Sequence, residues 1–252
     1  MIKCLSLALF VLVLSVHSSR ADRDLTIPIK APARPKPDAA GFITLFNGRN
    51  LAGWAGLAKY WSVKDGSISG HETRDMSRQT FLVFPTLKVT DFELHLKYRF
   101  ASPEGNSGIQ FRSVVLDFKT YRVGGYQADF DAETRFDGSI YDEAGVAGNR
   151  GTISNRGEKT TWDAENRRDA EPLDQAGNDP KTSIKRGEWN DAVLFVKGNH
   201  VTYSINGHVL TDLVDDSPAA LHEGILALQL HRGFTMDVRF KDIKIKVLHD
   251  QI

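Results

Sequence analysis

The chain has 252 residues, 41% of them hydrophobic and 25% charged, the proportions of a globular protein with one sizeable core. Lys plus Arg and Asp plus Glu balance at 32 each, which excludes the basic surface that a nucleic-acid partner requires. Cys4 is the only cysteine, which excludes a disulfide framework. At the N-terminus, Lys3 precedes an apolar run over 5–16, and Ser19 and Ala21 are the small residues a signal peptidase reads. A secretory signal peptide over 1–21 is expected, with export to the periplasm or medium. The run is too short for a spanning helix of ~20 apolar residues, so no stable membrane insertion is expected after cleavage. Residues 22–40 carry Pro28, Pro32, Pro35 and Pro37 and are expected to form an extended linker. The folded domain is placed at 41–248.

Within that domain, 42–46, 60–63, 67–70 and 80–84 are short β-like runs broken by Gly and Asn. The clearest alternation is 91–100, with Phe92, Leu94, Leu96, Tyr98 and Phe100 on one face and Glu93, His95, Lys97 and Arg99 on the other. That charged face is read either as a ligand floor or as a solvated surface. Further on, 191–197, 200–205 and 208–213 are joined by Gly198-Asn199 and Asn206-Gly207, turn pairs that predict a meander. The stretch 234–247 closes the domain. Many short strands without helical spacers predict an all-β, two-sheet antiparallel sandwich. Residues 144–188, rich in Gly, Asn, Arg and Asp, are expected to form a long irregular loop over part of the site.

Four segments share an unusual pattern: GNSGIQFR (105–112), GGYQADF (124–130), GSIYDE (138–143) and ILALQLH (225–231). Each alternates an apolar edge with hydrogen-bonding or ionisable side chains, and successive strand side chains point to opposite faces. Gln110 and Arg112, Gln127 and Asp129, Tyr141 and Glu143, and Gln229 and His231 would line one polar floor. These residue types suit sugar recognition or acid–base work more than a plain solvated face does. No helix follows the GNSG glycines, so they are read as a turn or a close backbone approach.

Together with LFNGRNLAGW (45–54), YWSVKDGSISG (60–70), RGEWND (186–191) and the terminal VRFKDIKIKVL, these segments resemble the 3-keto-disaccharide hydrolase domain family over 41–248. The resemblance implies a concanavalin A-like jelly roll and a carbohydrate substrate, a glycoside oxidised to a ketone at C3. Such a ketone acidifies the C2 hydrogen, and the glycosidic oxygen on C1 can then leave by elimination, with water adding back for net hydrolysis. That route asks for a base, a cation at the enolate oxygen and an acid at the leaving oxygen. Asp129, Glu143, Arg112 and His231 are the candidate catalytic residues. Asp129 and Glu143 are read as base or metal ligand, or as structural partners of Arg112, and His231 as acid, base, ligand or simply exposed. Gln127, Tyr141, Gln110 and Gln229 would orient hydroxyls, and Trp162 or Trp54 would stack on a pyranose ring, with Trp61 and Trp189 in the core. A divalent cation held by Asp129, Glu143 and His231 would act as a Lewis acid on the ketone. The competing readings are a non-catalytic carbohydrate-binding domain and a scaffold module tethered by the Pro-rich segment, because this architecture serves many functions.

Overall fold

The computed structural model describes residues 36–173 and 183–248, and none of these is helical. The expected signal peptide and the linker up to residue 35 lie outside the described residues. The chain runs through β1 (Ile43–Thr44), β2 (Trp61–Lys64), β3 (Ser67–Thr73), β4 (Thr80–Val89), β5 (Phe92–Phe100), β6 (Asn106–Asp117), β7 (Arg122–Asp131) and β8 (Ile140–Glu143). It continues through β9 (Thr152–Ser154), β10 (Glu158–Trp162), β11 (Arg168–Pro172), β12 (Asn190–Lys197), β13 (His200–Ile205), β14 (His208–Asp215), β15 (Gly224–Leu230) and β16 (Thr235–Val247). The larger sheet has the order β11-β10-β14-β13-β12-β5-β16-β3-β2, with β1 on β16, and the smaller has the order β4-β15-β6-β7-β8-β9. The two sheets face each other as the expected sandwich.

The period-two patterns decide which side chains meet. In β5 every apolar position is buried and every polar one is half-buried. Leu94 and Tyr98 thereby face Phe111, Phe130 and Leu228 of the opposite sheet in a single inter-sheet core. The Asn206-Gly207 turn between β13 and β14 has both residues at positive φ, 51° and 83°, the twist a two-residue hairpin needs. His95 Nε2 lies 2.6 Å from Glu93 Oε1 and Lys97 pairs with Asp191. This face lies on the outside of the larger sheet, where such partly exposed pairs contribute ~0–1 kcal/mol each.

Two features differ from expectation. Residues 144–188 are not one irregular loop, because 152–172 supplies β9, β10 and β11, which extend both sheets. These strands are legible only through their partners. Residues at positive φ, among them Asn149, Gly157 and Asn166, separate runs too short to show a period, and pairing to existing edges satisfies their backbone. The sheets are also not purely antiparallel, since β10 runs parallel to β14.

A bulge in β6 shapes everything downstream of it. The register with β7 shifts between Phe111 and Val114, and Arg112 sits at φ 47°. Gly224 lies directly against this bulge. A Cβ there would stand 2.3 Å from Arg112 C and Ser113 N and 2.4 Å from Ser113 O, all backbone atoms that cannot rotate away. Gly224→Ala is therefore expected to lose about 3 kcal/mol, the upper end for overpacking, read as a lower urea midpoint.

Candidate active site

The smaller sheet is buried on both faces, which explains its long apolar runs. Leu226, Leu228, Ile109, Phe111, Ala128 and Phe130 point into the inter-sheet core. On the outer face, Phe81, Val83, Tyr121, Val123, Ile225 and Ala227 form a second cluster with Ala55. Beside it the outer face turns polar. Gln127, Asp129, Tyr141, Glu143, Gln229 and His231 line a cleft of about 420 Å³, within the ~300–1,000 Å³ of small-ligand sites.

Register brings these groups together. Gln110 pairs with Gln127 across β6 and β7, Gln127 pairs with Tyr141 and Gly125 with Glu143 across β7 and β8, and Gln229 follows Ala227, which pairs with Gln110. Space for the crowded amides comes from Gly108, where a Cβ would meet Gln127 Cγ at 2.5 Å. This is the close backbone approach expected of the GNSG stretch.

The amides are linked to one another and to the two acids. Gln110 Nε2 donates to Gln127 Oε1 at 2.7 Å, and Gln127 Nε2 donates to Asp129 Oδ1 at 2.7 Å and Gln229 Oε1 at 3.2 Å. Glu143 accepts from Gln229 Nε2 at 3.1 Å and from Gln79 Nε2 at 2.9 Å. Burial holds the Asp129 carboxyl well above the usual carboxylate range, with the nearby Glu143, Asp137 and Asp131 charges adding to the shift. Burial also raises Glu143, against the pull of the Gln79 hydrogen bond and of the His231 and Arg122 charges. His231 Nδ1 donates to Arg232 O at 2.8 Å. Burial pushes the Tyr141 hydroxyl up as well.

Four of the sequence candidates stand elsewhere. Arg112 does not reach the cleft: the bulge turns its side chain to the sandwich edge, where it donates to Thr90 O at 2.9 Å and Leu221 O at 3.0 Å and pairs with Asp91 at 3.1 Å. It therefore pairs with neither Asp129 nor Glu143. Gln110 is fully buried beneath Gln127, so it supports the floor without touching a ligand. Trp162 is buried too. Its Nε1 donates to Ile153 O at 3.0 Å, and the Arg150 guanidinium covers its ring at 4.7 Å while pairing with Asp215 at 2.7 Å. Trp54 and Trp61 are core residues, which rules Trp54 out as a platform. Trp189, expected in the core, instead lies half-buried between Arg99 and Lys241, at 5.1 and 4.3 Å. Among the described residues no group of three or more His, Cys, Asp or Glu side chains is arranged to hold a metal ion, and Asp129, Glu143 and His231 are not gathered into one.

The cleft also contains residues that periodicity did not indicate: Gln79, Asn106, Arg122, Arg135, Phe136 and Phe234. Arg122 and Arg135 bring to the cleft the guanidinium groups that Arg112 does not. Arg135 is engaged by Asp131 and Glu133 at 3.2 and 2.9 Å, whereas Arg122 has no side-chain partner among the described residues. Phe136, 48% exposed, is an aromatic ring in the cleft lining, where Trp162 is absent. These groups come from strand ends and the β7–β8 loop, where no alternation marks them.

A β-sandwich with two acids on the floor of a polar cleft serves many functions, and the family match places this one among carbohydrate-active, glycoside hydrolase-like domains. Residues 41–246 match the 3-keto-alpha-glucoside-1,2-lyase-like domain, and the chain belongs to that family. It is 29% identical over 251 positions to a 3-keto-disaccharide hydrolase of Bacteroides thetaiotaomicron, covering 84% of this chain and 80% of the relative. The fold is similar to a putative glycosyl hydrolase of Parabacteroides distasonis, with a TM-score of 0.53 and 19% identity over 84% of this chain and 95% of the other. A second such protein from that organism has a TM-score of 0.53 and 17% identity over 82% of this chain and 99% of the other. No helix among the described residues is long and apolar enough to cross a membrane.

Behind the cleft, Asp137 is buried with its Oδ1 accepting from Tyr98 at 2.6 Å and its Oδ2 without a partner, and burial pushes its carboxyl up to about 7. Its folded pKa lies above the ordinary value, so the folded chain binds this proton more tightly than the unfolded one. The stabilisation is complete below the ordinary value and is lost as pH rises towards about 7. Asp137→Asn keeps the acceptor for Tyr98 and cannot ionise. Its urea stability at pH 8 is expected to exceed that of the native protein by on the order of 2 kcal/mol, with little difference near pH 4.

Proposed function

We propose that the protein cleaves glycosides whose sugar carries a ketone at C3, by removing the C2 proton and expelling the glycosidic oxygen. The observation that supports this most directly is the pairing of Asp129 and Glu143 on one cleft floor, linked through Gln127 and Gln229, with the Arg122 guanidinium on the same cleft and without a side-chain partner among the described residues. Burial lifts both acids towards the range in which general acid–base groups work. Arg122 receives the enolate charge, a role Arg112 does not reach the cleft to fill. Tyr141 and Phe136 offer a hydroxyl and a ring face to the sugar. A purely sugar-binding cleft would need the amides and aromatics but gains nothing from two desolvated acids. The family and the name of the Bacteroides relative agree with this substrate class.

The purified protein is expected to cleave a 3-keto-disaccharide and leave the unoxidised disaccharide intact, as followed by chromatography. Asp129→Asn and Glu143→Gln should each lower disaccharide turnover by ~10²–10⁴-fold, with sugar binding retained in calorimetry. Binding of sugars with cleavage of neither would favour a carbohydrate-binding domain instead. We also infer export, from the signal-like segment 1–21. N-terminal sequencing of the exported protein should begin at Asp22.

A further inference from the structure

The two carboxylates are not equivalent, and the glutamines between them give the reason. A primary amide offers one acceptor oxygen and two N–H donors, so a chain of amides has a direction. Here it starts at Ser113 Oγ, whose one proton faces Gln110 Oε1 at 2.7 Å, with Phe111 O at 2.9 Å and Tyr126 O at 3.3 Å as its other acceptors. Gln110 then donates to Gln127 Oε1 at 2.7 Å. With its oxygen engaged from below, Gln127 must turn its NH2 outward, where the two hydrogens go to Asp129 Oδ1 and Gln229 Oε1. Gln229 passes the direction on to Glu143 Oε2, and Gln79 covers Glu143 Oε1. Glu143 thus has a donor on each oxygen, the arrangement that favours a carboxylate. Asp129 has a donor on Oδ1 alone, which leaves Oδ2 to carry a proton.

The charges around each acid point the same way. Asp129 faces Asp131, Asp137 and Glu143, all acids. Glu143 faces the His231 and Arg122 charges, opposed by Asp142. Tyr141 stands near both.

We propose that this amide chain divides the work: Glu143 is held as the carboxylate that takes the C2 proton, Asp129 keeps a proton on Oδ2 for the departing oxygen, and Gln110 and Ser113 are positioning residues that act through Gln127. The proposal rests on the 3-keto-glycoside reading of the cleft. In the step, the C2–H pair moves into the enolate as Glu143 gains the proton. The C1–O bond then breaks, its pair goes to the leaving oxygen, and that oxygen takes the Asp129 proton. A C1=C2 double bond remains in the sugar. Hydration reverses the roles: Asp129, now a carboxylate, takes a proton from water as the water oxygen bonds C1, and Glu143 returns its proton to C2. No oxidant or reductant is needed.

Leaving-group dependence separates the two roles, because nitrophenolate departs without protonation and methanol does not. Asp129→Asn is expected to lose cleavage of a methyl 3-keto-glucoside by ~10²-fold or more while keeping the nitrophenyl 3-keto-glucoside within about tenfold. It should still exchange the C2 hydrogen of a 3-keto anhydroalditol, which has no leaving group, into deuterated solvent. Glu143→Gln should lose both cleavages and the exchange. Gln110→Leu frees the Gln127 amide to rotate, so the limbs of its kcat/KM–pH profile should move together while KM stays within about twofold. Circular dichroism verifies that each variant is folded. The reverse pattern for Asp129→Asn and Glu143→Gln, or equal loss of every activity in both folded variants, overturns the division of roles. An unchanged pH profile in Gln110→Leu overturns the positioning role. A native protein inert towards both 3-keto substrates defeats the reading of the cleft itself.

Discussion

A glutamine taken out of water must satisfy its acceptor and both donors nearby, and the middle of the smaller sheet is organised around that constraint. Leaving one such group unpaired costs about 1–3 kcal/mol, a large fraction of a typical domain's stability. Gln127 meets it in full, accepting from Gln110 and donating to Asp129 and Gln229, while Gln110 and Gln229 each donate once, to Gln127 and to Glu143, across three strands. Their common direction then ends on Asp129 and Glu143. Register, burial and acid–base character are consequences of one another here. A slip of one residue in β7 would turn Gln127 and Asp129 into the apolar core and break the whole chain of bonds.

The bulge at Arg112 and Ser113 is the second organising element. It leaves Ser113 on the outer face, where its hydroxyl anchors Gln110, and sends Arg112 to the sandwich edge. There Arg112 ties together Thr90, Asp91 and Leu221. Nearby, Tyr126 and Arg150 both reach Asp215, and the Trp162 ring covers Arg150. The insertion over 144–173 is thereby stitched to the core by a buried ion pair, an arrangement that is costly to break by removing one partner alone. Gly224 is what allows the two backbones to approach at the bulge.

The cleft is electrostatically divided. Its interior collects Asp129, Glu143 and, behind them, Asp131 and Asp137, while Arg122, Arg135 and His231 stand around its lining. Acids in low dielectric with cations at the margin suit a reaction in which a proton leaves a neutral substrate and negative charge develops on it.

The sequence by itself determined the all-β class, the β5 alternation, the Asn206-Gly207 hairpin and the row of Gln127, Asp129, Tyr141, Glu143, Gln229 and His231, because a period of two is local and survives in any strand register. The family motifs were legible for the same reason. Only the tertiary structure decided that Arg112 leaves that row, since its bulge depends on Gly224, more than a hundred positions away in the chain. It alone put Trp162 beneath Arg150 and turned 152–172 into three strands, of which β10 and β11 join the larger sheet where β10 pairs with the distant β14. It also brought Arg122, Arg135 and Phe136 to the cleft from strand ends and a loop. Such positions carry no periodic signal, because their side-chain directions are set by what they pack against.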